Sequence, residues 1–421
     1  MVSRRSQSSG RRSFLKYASG VTAVTLAGCT DGDDSGQDVD TVTVGSVHPE
    51  TGPLAFDGQR MQKMIQLAAE LRNENGGIES LDGAEIEVVT SDSEASQEVA
   101  GPATEEVINE GASVVLGEYT SPGTMAATGV SERQQTPFVI TVATDPEILV
   151  GRDTNYTYRV QPNSTVQADN YAEYTPPILD EFGYEANTMG HVFINDSFGR
   201  SLADPLVELL ADQGIEVTLQ QGIEVAQEDL SSEALRVKEE DPDILCTTSY
   251  ATAGRLLWNS FQDIGYTPKF IVALASPSFG NPEPLRQMGD DVNGSLHISL
   301  SHNPTNPRTA EVTEEFQNRY GEDFDVDEVG LDGVHYLGFT AARTAFDAIE
   351  MAGSTDTEEI NNALKDIQIE ETVAALPGVD FKDNGENSLA KAICSQSQEL
   401  EPRVVWPQEF AESELIDPAL R

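Results

Sequence analysis

Basic residues are scarce in this 421-residue chain: Lys and Arg number 25 against 72 Asp and Glu, a formal net charge of −47. A chain so poor in cations cannot neutralise phosphates, which excludes nucleic-acid binding by that route, and it is not drawn electrostatically to an anionic membrane surface. Cysteine is nearly absent, at Cys29, Cys246 and Cys394. Cys246 follows Ile244-Leu245 and Cys394 follows Ala392-Ile393, so both read as small buried hydrophobes and not as a disulfide or a nucleophile. No internal stretch reaches the roughly 18 apolar residues of a membrane-spanning helix. GxGxxG, GxxxxGK followed by Ser or Thr, GxSxG and HExxH are all missing. His48, His191, His297, His302 and His335 show no ligand clustering. An enzyme is therefore disfavoured, with no cofactor and no metal site expected. Asp323, Asp325 and Asp327 have the opening spacing of a calcium loop, but Glu328 stands where that loop needs Gly and Val334 where it needs Glu.

What is present describes a folded, acidic body. Hydrophobic residues make up 38% of the chain, enough to build cores, and the length predicts two or three globular units. The acidic excess is dispersed, as in Glu239-Glu240-Asp241 and Glu314-Glu315, which reads as a surface adapted to high salt and not as an acidic tail.

The first 28 residues reverse this bias, carrying Arg4, Arg5, Arg11, Arg12 and Lys16 and no acid. Such a reversal marks a processed segment. Arg11-Arg12-Ser13-Phe14-Leu15-Lys16 resembles a twin-arginine export signal, with Gly10 where Ser or Thr is more usual, and Leu26-Ala27-Gly28-Cys29 resembles a lipoprotein box. Residues 1–28 are expected to be a signal peptide, Cys29 the lipid attachment site, and 29–40 an acidic tether. The body would then be extracellular, anchored to the outer face of the cell membrane. Twin-arginine lipoprotein export with extreme acidity resembles a haloarchaeal secretome.

From Thr41 β-type runs alternate with helical stretches, the pattern of parallel α/β sheets. The first series predicts strands at 41–47, 86–91, 113–117 and 138–141, with helices at 58–73, 100–109 and 124–133. The second predicts strands at 191–195, 215–219, 244–248 and 270–273, with helices at 167–182, 199–213, 230–240 and 253–264. Leu331–Met351 reads as a long, largely buried helix. The fold class is α/β, two doubly wound parallel-sheet lobes in succession.

Chemistry is expected where such strands end, because a parallel sheet presents backbone N–H groups and short hydroxyls to a ligand there. Val115-Leu116-Gly117 runs through Glu118-Tyr119-Thr120-Ser121-Pro122-Gly123 into a helix. Ser121 is placed at the N-cap and Pro122 at the first helical position, a pair that suits ordinary capping as well as a carboxylate grip. The next junction offers the Thr144 hydroxyl and the Val142 carbonyl. In the second unit Phe198 and Tyr250 stand at strand ends, where aromatic walls exclude water from a ligand or simply pack their own loops.

These residues, with Thr51-Gly52-Pro53-Leu54, Asn75-Gly76-Gly77-Ile78, Ala143-Thr144-Asp145-Pro146, Asn195-Asp196-Ser197-Phe198-Gly199 and Leu376-Pro377-Gly378-Val379-Asp380-Phe381, occur in an order and spacing that resemble the branched-chain amino-acid-binding family of type I periplasmic-binding proteins. The resemblance runs from about 41 to 410. It implies lobes of 41–162 with 298–374 and of 163–297 with 375–421, joined by a multi-strand hinge whose passages fall near Pro162, His297–Ser301 and Ala375. It also implies a monomeric solute-binding protein that feeds the permease and cytoplasmic ATPase of an ABC importer, or alternatively a sensor that presents its closed lobes to a membrane receptor. Ser121, Thr144 and the Val142 backbone would hold the ligand's polar groups, with Phe198, Tyr250 and Phe56 as walls. One departure matters. Where amino-acid binders of this family usually carry an acid that pairs with the ligand ammonium, the stretch reads Leu274-Ala275-Ser276-Pro277-Ser278-Phe279-Gly280. A neutral amide, a urea-like compound or a carboxylate without an amine becomes credible, unless Asp145, Asp196 or Glu118 substitutes.

Overall fold

A computed structural model describes residues 39–324 and 328–420. The expected signal peptide, Cys29, most of the expected tether, and Asp325 and Asp327 lie outside the described residues.

The first sheet is built from β1 (Thr41–His48), β2 (Glu85–Asp92), β3 (Val114–Gly117), β4 (Phe138–Ile140) and β5 (Thr157–Arg159), all parallel, in the order β2-β1-β3-β4-β5. β3 and β4 are buried at every position, as strands covered by helices on both faces must be. Those helices are α1 (Ala55–Glu74), α2 (Gln97–Asn109) and α3 (Ser121–Gln134).

The chain then builds α4 (Ser164–Asp180), β6 (Thr188–Ile194), α5 (Ser197–Ala211), β7 (Glu216–Ile223), α6 (Ser231–Glu240), β8 (Ile244–Thr248), α7 (Ala251–Asp263), β9 (Phe270–Leu274), α8 (Pro282–Met288) and β10 (Leu296–Ser299). The order β7-β6-β8-β9-β10 repeats that of the first sheet. The two doubly wound lobes expected from the alternating pattern are thus present. The second sheet also gains an antiparallel hairpin, β13 (Ile393–Gln398) and β14 (Glu401–Trp406), laid beside β10. Between β10 and that hairpin lie α9 (Pro307–Tyr320), α10 (Gly333–Ala352), α11 (Thr357–Asp366) and the short pair β11 (Gln368–Ile369) and β12 (Val379–Asp380).

α10 is the long helix expected near 331–351. Asp332 caps its start and Gly353, at φ 58°, ends it in the left-handed conformation that glycine adopts without penalty. Most of its residues are buried, and it packs along α1 on the first lobe. Three passages join the lobes. The first follows β5 through Pro162. The second runs from Ser299 toward α9, where Asn303 N–H donates to the Val373 carbonyl at 2.7 Å and Ala375 N–H to the Ser301 carbonyl at 2.9 Å. The third lies between Asn387 and Ile393, downstream of Ala375, because Phe381 packs on Tyr158 and Glu386 bridges to Arg159 of the first sheet.

Among the described residues no helix is long and apolar enough to cross a membrane. Cys246 and Cys394 are buried and unpaired, and burial pushes the Cys246 thiol up to about 12.

Candidate functional site

In a sheet ordered 2-1-3-4-5 the crevice opens at the carboxyl ends of the first and third strands, where the chain's winding direction reverses. Here there are two such points, at β1/β3 and at β6/β8, and they face each other. Tyr119, just past β3, lies 5.5 Å ring to ring from Tyr250, just past β8, and Phe198, just past β6, stacks on Tyr250 at 5.3 Å.

Each loop is held by its own hydrogen bonds. After β3, Thr120 caps α3, its Oγ1 accepting from Gly123 N–H at 3.1 Å. Ser121 is therefore the first helical residue and Pro122 the second, one place later than expected. The Ser121 Oγ accepts from Asp145 N–H at 3.3 Å and so ties the first junction to the next. Beneath them Glu118 is fully buried. Its Oε1 accepts from Ser93 at 2.6 Å, and its Oε2 from Thr120 N–H at 2.7 Å and Thr120 Oγ1 at 2.8 Å. Burial outweighs these bonds and pushes its carboxyl up to about 7. The loop after β4 is held by Arg159, wholly buried, which donates to the Thr144 carbonyl at 3.0 Å and the Asp145 carbonyl at 2.7 Å.

In the second lobe Asp196 caps α5, accepting from Gly199 N–H at 3.0 Å, and receives the Tyr250 hydroxyl at 3.4 Å. Burial and the neighbouring carboxylates hold the Tyr119 and Tyr250 phenols well above their ordinary range, so both remain donors. His297, buried and depressed to about 3, is neutral, and its Nε2 accepts from Ser276 N–H at 3.2 Å.

Between the lobes lies a cavity with an empty volume of about 470 Å³, of which about 30 Å³ admits the centre of a water-sized molecule. The first lobe contributes Tyr119, Val142, Ala143 and Thr144, and the start of α10 adds Asp332, Gly333 and Val334. Phe198, Ser249 and Tyr250 face them from the second lobe, while His297, Ser299 and Leu300 close the hinge side. The lining is mostly apolar with a few polar groups, the ordinary make-up of a small-molecule site. A larger, open depression with an empty volume of about 2040 Å³ lies between α1, α9 and α10. There Arg72 pairs with Asp347 at 3.0 Å and Glu350 at 2.8 Å, so its polar groups satisfy one another away from both strand-end junctions.

Of the residues singled out by sequence, Val142, Thr144, Phe198 and Tyr250 come together on the cavity wall. Ser121 and Phe56 are not on that wall. α1 begins at Ala55, three residues before the expected Gly58, so Phe56 falls in its first turn and stacks on the Arg60 guanidinium one turn along, 3.8 Å away. Most of the lining escaped sequence reasoning, including three residues with titratable groups. Tyr119 stood inside the junction but was passed over for the serine; His297 read as isolated; Asp332 carried only a helix-cap signal. No His, Cys, Asp and Glu cluster among the described residues is arranged to hold a metal ion.

Comparison with known proteins adds kinship to this geometry. The profile of a family described as Periplasmic binding protein matches residues 41–391. A Leu/Ile/Val-binding protein homolog 7 of Brucella abortus is 25% identical over 382 residues, covering 89% of this chain and 93% of its own. The branched-chain amino acid transporter substrate binding protein LivJ of Streptococcus pneumoniae, solved with isoleucine, superposes with a TM-score of 0.72 at 20% identity, over 87% of this chain and 100% of its own. A solute binding protein of an ABC transporter from Rhodopseudomonas palustris, solved with 3,4-dihydroxy benzoic acid, gives 0.72 at 17% identity, over 85% of this chain and 93% of its own. At such identities the structural likeness speaks for the fold.

Proposed function

The chain belongs to the periplasmic binding protein family, and on that premise we propose that it captures a small polar solute between its lobes and hands it to the permease of an ABC importer. The observation that carries this reading is the cavity itself. Its walls come from both strand-end junctions at once, so a solute seated there bonds both lobes and favours the closed arrangement over an open one. Thr144 and the Val142 backbone would meet the solute's polar groups, while Tyr119, Phe198 and Tyr250 exclude water around it. Ser121 would act through the Asp145 loop that it braces. The cavity is small as the lobes stand here, which argues against an oligopeptide.

Export by a twin-arginine route and lipid attachment at Cys29 fit this role, since a tethered binder stays near its permease. A single acyl chain anchors weakly, so a second on the same cysteine is expected. Mass spectrometry of the protein from its native membrane tests the anchor: a diacylated Cys29 at the new N-terminus supports it, and an unmodified or absent Cys29 refutes it. Isothermal titration against amino acids, amides, urea and aromatic acids, with scattering to follow closure, tests capture. Heat accompanied by compaction for at least one class is expected, whereas flat traces and unchanged scattering across the panel would sink the reading.

A further inference from the structure

Asp332 makes fewer bonds than its burial demands. It is 3% exposed and stands on the cavity wall at the cap of α10. Its Oδ1 accepts from Val334 N–H at 3.0 Å, and its own N–H donates to His335 Nδ1 at 2.9 Å. Its Oδ2 accepts no hydrogen bond from any described residue. Capping a helix takes one carboxylate oxygen; the second is surplus to that task.

None of the surrounding donors among the described residues reaches Asp332 Oδ2. His335 lies between two carboxylates, its Nδ1 accepting from Asp332 N–H and standing 3.2 Å from Asp332 Oδ1, its Nε2 3.4 Å from Asp57 Oδ1, and neither nitrogen bonds Asp332 Oδ2. Tyr119 gives its hydroxyl to Asp57 Oδ2 at 2.7 Å. Arg60, the cation in this neighbourhood, spends its Nη2 on Glu283 at 2.8 Å and its Nη1 on the Phe56 carbonyl at 2.8 Å. Among the described residues Arg60 therefore pairs with Glu283 alone, and His335 reaches only the Oδ1 atoms of Asp57 and Asp332. A buried carboxylate oxygen without a donor costs several times what a satisfied one does, so a group that brings both a donor and a positive charge is strongly favoured at this wall.

We propose that Asp332 is the counter-ion of a protonated amine on the captured solute, and that this amine is held from the first lobe's long helix and not from the Ala275–Phe279 stretch. The proposal rests on solute capture between the lobes. It narrows the solute to an amine-bearing molecule whose remainder packs on Val142, Leu300, Val334 and Phe198. The benzoate-type acid found with a fold neighbour would then be a poor ligand here.

The test is calorimetry on the full chain with leucine, phenylalanine and glutamate, each beside its des-amino acid, together with benzoate and urea. Asp332→Asn and Asp332→Ser are run beside the native protein, since Asn and Ser both keep the cap and thermal melting verifies that each variant folds. The expected result is that at least one amino acid binds, that its des-amino partner binds about 10- to 100-fold more weakly, and that both variants erase most of this difference. Binding that is indifferent to the amine, a preference for benzoate or urea, or a difference that survives both substitutions would overturn the proposal while leaving capture intact. Flat traces for every compound would overturn capture and the proposal together.

Discussion

Arg60 Nη2 lies 2.8 Å from Glu283 Oε2, joining α1 of the first lobe to α8 of the second. The guanidinium is stacked 3.8 Å from the Phe56 ring centre and 4.5 Å from that of Phe324, and its side chain is 5% exposed. Held this way it would have to release Glu283 for the lobes to part, so the ion pair is expected to favour the arrangement seen here over a more open one.

Replacing Glu283 by Gln is expected to lower the closed population. The pair is partly buried, so about 1–2 kcal/mol of closure free energy is at stake, a factor of roughly 5–30 in solute affinity. Scattering should show a larger mean radius without solute, and calorimetry a weaker Kd at unchanged stoichiometry. Equal radius and equal affinity would remove the latch.

Arg159 yields a prediction about the site's scaffold. It is fully buried, its Nη1 lies 3.5 Å from Glu386 and donates to the Thr144 carbonyl, and its Nη2 donates to the Asp145 carbonyl. Burial lowers its affinity for the proton, and Glu386 and Asp145 oppose this. Arg159→Met leaves Glu386 without its partner and the loop unheld. A loss of about 3–5 kcal/mol in unfolding free energy is expected, measured as a lowered urea midpoint. Adding Glu386→Gln should recover part of that loss, because it removes the stranded charge.

How much of this was legible from sequence depends on how local the signal is. Val142, Thr144, Phe198 and Tyr250, which stand on the cavity wall, could be placed from sequence because each lies at the end of a strand whose apolar run and following helix start lie within a few residues. Asp332 was not found: its cap signal is local, but its place on the cavity follows from α10 packing back on α1, a contact between segments far apart in the chain. The hairpin β13–β14 escaped for the same reason. Its residues pair beside β10, with Leu296 opposite Gln396 and Ser299 opposite Ile393, and nothing in their own periodicity names that partner.

Glu118 makes stability fall with pH. In the unfolded chain its carboxyl returns to the ordinary value of 4.5, whereas burial holds it at about 7 in the folded protein. Between those values the folded state keeps a proton that the unfolded state has released, so its contribution is complete below pH 4.5 and is lost as pH rises through about 7. A shift of this size corresponds to roughly 3 kcal/mol. Glu118→Gln cannot titrate, yet its carbonyl still accepts from Thr120. Urea midpoints from pH 4.5 to 8 should decline for the native protein more steeply than for the variant, with the two curves converging or crossing as pH rises. Parallel curves would show that Glu118 is not the titrating group.

The internal repeat sets the last prediction. In the second lobe a Cβ on Gly199 would fall 1.8 Å from the Ile194 carbonyl oxygen; in the first, a Cβ on Gly58 would fall 2.0 Å from the Pro49 carbonyl oxygen. Both glycines let the helix that follows a lobe's first strand sit directly over the end of that strand, which is what brings Phe198 to the cavity. Backbone cannot yield as a flexible side chain can, so Gly199→Ala must lift the start of α5 and displace the Phe198 ring from Tyr250. Gly129 is the control: it lies inside α3, and a Cβ there meets only the flexible tips of Arg152 at 3.6 Å and Arg133 at 3.7 Å, ordinary contacts. Gly129→Ala should stabilise the protein by about 0.5–1 kcal/mol, the usual gain of replacing a helical glycine. Gly199→Ala should instead lower the melting temperature by several degrees and weaken solute binding as well, and equal melting temperatures for the two variants would contradict the close approach at Ile194.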